Sequence, residues 1–97
     1  MTKKERKQRF DLISQMGCCI CQRPAEIHHL IGHKYKGMGM KADDIYTIGL
    51  CPEHHRGNQG IHHLGMRIWE DIYGSQDYHL TRVEKFIEKN FTYEQKS

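Results

Sequence analysis

The chain has 97 residues, 37% of them hydrophobic, enough for one small domain with a modest core; chains of this size often recruit a metal or disulfides to reach useful stability. No apolar run approaches a membrane span, and MTKKERKQRF at the start is basic and polar rather than signal-like. A cytoplasmic, reducing setting with no membrane partner is therefore expected, where cysteine pairs bind metal more often than they form disulfides. The net charge of +3 is uneven: Lys3, Lys4, Arg6, Lys7 and Arg9 against Glu5 put +4 into residues 1–10 and leave the remainder at −1. That excludes a broadly basic nucleic-acid platform and confines phosphate attraction to the N-terminal segment and to local sites.

Residues 4–16 carry Phe10, Ile13 and Met16 at helical spacing, with Gly17 placed to stop the helix. Its cations read equally well as a solvated helix start and as phosphate contacts. The knuckle Cys18-x-x-Cys21 follows. Residues 25–31 read as a strand, residues 32–44 (GHKYKGMGMKADD) as a glycine-rich polar loop and residues 45–51 (IYTIGLC) as a second strand. In the loop, Met38 and Met40 are read as packing. Pro52 can open a short helical turn, which GNQG at 57–60 breaks. Leu64, Ile68 and Ile72 at i, i+4 and i+8 predict a core-facing helix ending near Gly74. A last helix runs from residues 75–77 to Phe91, with Leu80, Val83, Phe86 and Ile87 inward. No repeat or low-complexity linker interrupts the order helix, β-hairpin, short helix, helix, helix, which defines an α+β domain.

Cys18-x-x-Cys21 and Cys51-x-x-His54 are two half-sites separated by 29 residues. Two ligands three positions apart can bend round one ion, and four such ligands in tetrahedral array suit a structural Zn²⁺. Cys19 either replaces Cys18 or Cys21 in that set or is simply buried. Seven histidines are then left over: His28, His29, His33, His55, His62, His63 and His79. A zinc-stapled hairpin brings EIHHL and EHHRG together. Converging imidazoles there can hold a divalent cation while one nitrogen base stays free, which is the equipment of metal-assisted hydrolysis. Adjacent strand residues point to opposite faces, so His28 and His29 divide the labour as ligand and base, with the backbone expected to leave β geometry beside Gly32. Glu70 is read as helix surface, and His33 and His79 as unligated.

The segments GCCICQRPAEIHHL, GMGMKADDIYTIGLCPEHHRG and IHHLGMRIWEDIYG, in that order over roughly residues 17–80, resemble the HNH, or ββα-metal (His-Me finger), endonucleases. Within them they look most like the phage recombination-enhancement, RecA-dependent nucleases. The resemblance implies a small zinc-stapled ββα-metal core with flanking helices: a basic N-terminal helix over residues 1–16 and a nuclease domain over 17–97, forming one domain overall. It implies hydrolysis of DNA phosphodiester bonds in phage or prophage recombination, with a structural Zn²⁺ and a catalytic Mg²⁺ or Mn²⁺; Zn²⁺ or Ni²⁺ would also enter an imidazole-rich site.

Residue by residue, His29 matches the general base, His28 a metal ligand and His55 the helix histidine that completes the metal site. The second helix ligand of related nucleases falls on Gln59, a poor ligand, and His62 is the candidate replacement ahead of His63. The family's asparagine falls on Tyr46, which leaves Asp44 or Thr47 to orient His29. The expected catalytic set is His29, Asp44 and His55; the expected cation ligands are His28, His55 and His62. Lys34, Lys36, Lys41, Arg56 and Arg67 are candidate phosphate contacts. Gly49 stands where the close group has proline. DNA is the expected partner; a RecA-type filament is a further one, although the long basic arm of the recombination-enhancement nucleases is here a much shorter tail. Two rival functions use the same residues. A non-catalytic zinc module needs the four zinc ligands but not His29. An inactive nuclease-like recombination accessory would account for the missing asparagine and for Gln59.

Overall fold

A computed structural model describes residues 1–36 and 42–90. Lys41 and the Met38–Met40 pair lie outside the described residues. Seven elements run in order: α1 (Lys3–Met16), β1 (Glu26–His29), β2 (Thr47–Leu50), α2 (Pro52–His55), α3 (Ile61–Leu64), α4 (Met66–Tyr73) and α5 (Gln76–Asn90). The result is a small mixed α/β domain built on one two-stranded sheet. Among the described residues no helix is long and apolar enough to cross a membrane.

Helix α1 begins in a capping box. The Thr2 hydroxyl accepts from Glu5 N–H at 3.1 Å, and Glu5 Oε1 accepts from Thr2 N–H at 2.9 Å, so two otherwise orphaned donors are satisfied. Leu12 and Ile13 turn inward. Arg9 does not belong to the solvated basic tail. It is 6% exposed, donates to Thr47 Oγ1 at 2.8 Å and to Thr47 O at 2.9 Å, and pairs with Glu84 at 2.9 Å. One guanidinium thus ties α1 to β2 and to α5.

The strands pair antiparallel with Glu26 opposite Leu50, Ile27 opposite Gly49, His28 opposite Ile48 and His29 opposite Thr47. They are shorter than the predicted segments 25–31 and 45–51. All four β2 residues are buried, since β2 packs against α1, α2 and α5 as well as its partner strand. The strand β1 continues through His29, and the chain leaves β geometry beside Gly32, as expected. The turn comes after the pair, at Gly32 with φ +130°. At Gly49 an added Cβ would sit 3.0 Å from Gly17 O and from Ile13 Cγ2. Gly49→Ala is therefore expected to cost about 1–3 kcal/mol through overpacking. That is a fall in melting temperature of roughly 4–8 °C per kcal/mol at this chain length, read from a thermal melt; an unchanged Tm would mean that the hairpin yields.

The predicted single helix through Leu64, Ile68 and Ile72 is two helices. Gly65, at φ +90°, separates α3 from α4. That break resets the helical phase, so Leu64 no longer reports the inward face of α4. Trp69 takes the core position with no exposure, whereas Ile68 and Ile72 are 53% and 56% exposed. In α5 the inward face is led by Gln76, His79 and Val83; Leu80, Phe86 and Ile87 are half-buried.

Candidate metal centre

Backbone turns assemble the first cluster. Cys18 N–H bonds Arg23 O and Gln22 N–H bonds Cys18 O, both at 2.9 Å. These close the first knuckle with Gln22 at φ 64°, and Ile20 N–H points at Cys18 Sγ at 3.4 Å. The second knuckle uses Cys51 as the residue before α2 and Pro52 at its first position, where a missing N–H costs nothing. Cys21 Sγ lies 3.6 Å from Cys51 Sγ, and His54 Nδ1 lies 3.3 Å from Cys51 Sγ and 3.8 Å from Cys18 Sγ. Ligands held 2.3 Å from one tetrahedral ion sit about 3.8 Å apart. Cys18, Cys21, Cys51 and His54 are thus close enough to hold a metal ion. Cys19 is outside the set: it is 3% exposed, its carbonyl accepts from Arg82, and burial pushes its thiol up to about 11.

A second cluster lies one residue further along α2. Ring nitrogens of His28, His55 and His62 all fall within 4.8 Å of one another. Gly60 makes this possible. An added Cβ there would stand 2.6 Å from Arg56 N and 2.7 Å from His55 O, so only glycine lets α3 start against the end of α2. His62 Nε2 then reaches 3.2 Å from His55 Nε2.

Two of the three rings have their outer nitrogen bonded. The Gln76 amide is oriented by backbone, its Nε2 donating to Ile31 O and its Oε1 accepting from Ile31 N–H, both at 2.9 Å. His28 Nε2, 3.2 Å from that same Oε1, must therefore be the donor, and Nδ1 keeps its lone pair. Likewise His55 Nδ1 donates to Glu26 Oε1 at 2.7 Å, which leaves Nε2 facing His62 Nε2. Fixing the tautomer through the outer nitrogen is how ligating histidines are usually held. Burial, with smaller contributions from His55 and His62, pulls His28 down to about 4, and His62 is lowered by burial and by His55. Both rings therefore stay neutral and electron-donating near neutral pH. Arg56, then His55, hold the Glu26 carboxyl at about 2.

Glu26 and Gln76 were missed in the sequence. Glu26 was legible, since it shares a strand face with His28 two residues on. Gln76 was not, being 48 residues from His28 with no local pattern. Gln76→Ala is expected to weaken divalent-cation binding by the three histidines about 10–100-fold, measured by titration calorimetry with Mn²⁺. Unchanged affinity would show that packing alone orients His28.

His29 lies on the opposite strand face, 20% exposed at its side chain, with Nε2 2.8 Å from Asp44 Oδ1 and its ring edge-on to Phe10 at 6.4 Å. The Asp44 carboxylate accepts from Nε2–H, so Nδ1 is the ring nitrogen turned away from it. Asp44 orients His29; Thr47, the alternative, is buried and engaged by Arg9. Tyr46 instead packs against Tyr35. Gln59 accepts from Tyr73 Oη at 3.0 Å, and His63 and His33 are exposed outside the cluster. Glu70 is neither a ligand nor idle surface, since it accepts from Gln76 N–H at 2.7 Å. Among the candidate phosphate contacts, Arg56 is paired with Glu26 at 2.6 Å and Lys34 with Asp77. Lys36 is half-buried, and Arg67 is exposed beside Met66 and Ile68.

An antiparallel hairpin running into a short helix, with a Cys₃His cluster at its base and three imidazoles beside it, defines a small α/β domain equipped to hold metal. The chain belongs to the family described as protein of unknown function (DUF968), whose model matches residues 2–92. It is 38% identical over 87 residues to the uncharacterized protein YdfU of Escherichia coli (strain K12), covering 89% of this chain and 22% of that protein. The chain thus spans about a fifth of the length of that relative. No solved structure matches.

Proposed function

We propose that this chain is an HNH-type, ββα-metal endonuclease that hydrolyses DNA phosphodiester bonds, with Zn²⁺ held by Cys18, Cys21, Cys51 and His54. The observation that carries the reading is the division of the adjacent pair on β1: His28 among three imidazoles, His29 on Asp44 across the strand. Metal-assisted hydrolysis needs a base for the attacking water and, separately, positive charge for the leaving oxygen, and the divided pair offers one residue for each. His29, with Nε2–H donated to Asp44, takes a proton from water at Nδ1. A divalent cation on His28, His55 and His62 would supply positive charge for the phosphoryl and leaving oxygens. The donor set is all imidazole, which fits Mn²⁺ better than Mg²⁺, an ion that prefers oxygen ligands and keeps its waters. Glu26 and Gln76 hold two of the three rings. The part in phage recombination, and presentation of DNA by a RecA-type filament, draw their support from the sequence resemblance.

The test is nicking of supercoiled plasmid by the zinc-loaded chain. Open circles are expected in Mn²⁺ and not in the absence of added metal. A wild-type protein inert in Mn²⁺, Mg²⁺, Ni²⁺ and Zn²⁺ would sink the enzyme reading and leave the non-catalytic zinc module.

A further inference from the structure

We propose that the DNA strand reaches His29 along α1, on a phosphate track made by Lys3, Arg6 and Lys7 that ends at Phe10. The inference rests on the nuclease reading and moves the main phosphate contacts from the glycine-rich loop to the N-terminal helix. Lys3, Arg6, Lys7 and Phe10 fall at i, i+3, i+4 and i+7, hence on one helix face. With Asp11 they line an open cleft of about 420 Å³. Two of its lining residues touch the base and its partner: the Phe10 ring lies edge-on to His29 at 6.4 Å, and Arg6 Nη1 is 3.8 Å from Asp44 Oδ2, on the carboxylate bonded to His29.

Rotation of the helix is not free to turn this face away. The buried Arg9, bonded to Thr47 and Glu84, pins α1 about its own axis, and the capping box orders its first turn. The acids on α1 are spent internally, Glu5 in the cap and Asp11 on Lys7 at 3.1 Å. That Lys7–Asp11 pair is an exposed surface pair of the weakest kind, open to exchange for a phosphate. Two of the rival cations are held more firmly. Arg56 makes three bonds to Glu26, and Lys34 shares Asp77 with Tyr35 Oη. From Lys3 to Phe10 the helix rises about 10 Å, enough to meet more than one phosphate of a strand.

The test compares two double variants of equal charge. Lys3→Ala with Lys7→Ala removes the track, whereas Lys85→Ala with Lys89→Ala removes two exposed cations of α5. Binding of a fluorescent mixed-sequence DNA duplex is followed by anisotropy across about 50–200 mM salt, without added Mn²⁺. The track variant is expected to bind about tenfold or more weakly near 0.1 M salt, with the log–log salt slope flatter by about 1.8. The α5 variant should stay close to wild type, and the zinc content of both should be unchanged. Equal losses in the two variants, or none in the track variant, would overturn the proposal. If wild type nicks plasmid through His29 while the track variant binds as well as wild type, this inference fails and the nuclease reading stands. If wild type neither binds nor nicks DNA, both fail.

Discussion

Serine in place of Cys51 is expected to strip the chain of zinc and leave it largely unfolded. Cys51 is 2% exposed and its sulfur sits between Cys21 Sγ and His54 Nδ1. It also joins the end of β2 to the start of α2, so an ion there fastens the hairpin to both the α2 turn and the first knuckle. A structural zinc can supply roughly 10–16 kcal/mol of apparent binding free energy, against about 5–15 kcal/mol for the whole stability of a domain. The core cannot replace that: its largest buried side chains number few, led by Trp69, Ile13, Leu30, Ile48 and Leu50. Elemental analysis and a circular-dichroism melt read the result. Cys19→Ser is the control, since its buried thiol lies outside the cluster and the variant should keep its zinc. Unchanged zinc content and melting in Cys51→Ser would remove the structural-metal claim.

Alanine in place of His29 is expected to abolish plasmid nicking while zinc content and fold persist. A general base contributes about 10²–10⁴-fold, and the side chain is neither deep in the core nor a member of either cluster. Asp44→Ala should follow it part of the way, because the ring would lose the acceptor that keeps the proton on Nε2. Asp44→Asn, which can still present an oxygen to Nε2–H, should retain more activity than Asp44→Ala. A His29→Ala protein that nicks as fast as wild type would dispose of the assigned base, whatever the metal dependence.

How much of this was legible beforehand depends on the range of each interaction. Cys18-x-x-Cys21 and Cys51-x-x-His54 are knuckles whose ligands lie within one turn of backbone, so spacing announces them. The opposition of His28 and His29 follows from the pleat of any strand. The face of α4 was misread because Gly65 interrupts the helix between Leu64 and Ile68, and periodicity holds only within an unbroken helix. Arg9 was counted as a tail cation although its partners, Thr47 and Glu84, lie 38 and 75 residues away.

The sequence by itself determined an α+β domain, two cysteine–histidine half-sites and a histidine pair split across a strand, because each depends on neighbours in the chain. Only the tertiary structure decided that Cys19 stands apart from the cluster of Cys18, Cys21, Cys51 and His54, that Asp44 rather than Thr47 bonds His29, and that Gln76 and Glu26 bond the outer nitrogens of His28 and His55. Those choices turn on which side chain arrives from a distant element at hydrogen-bonding distance, and local spacing carries no record of that.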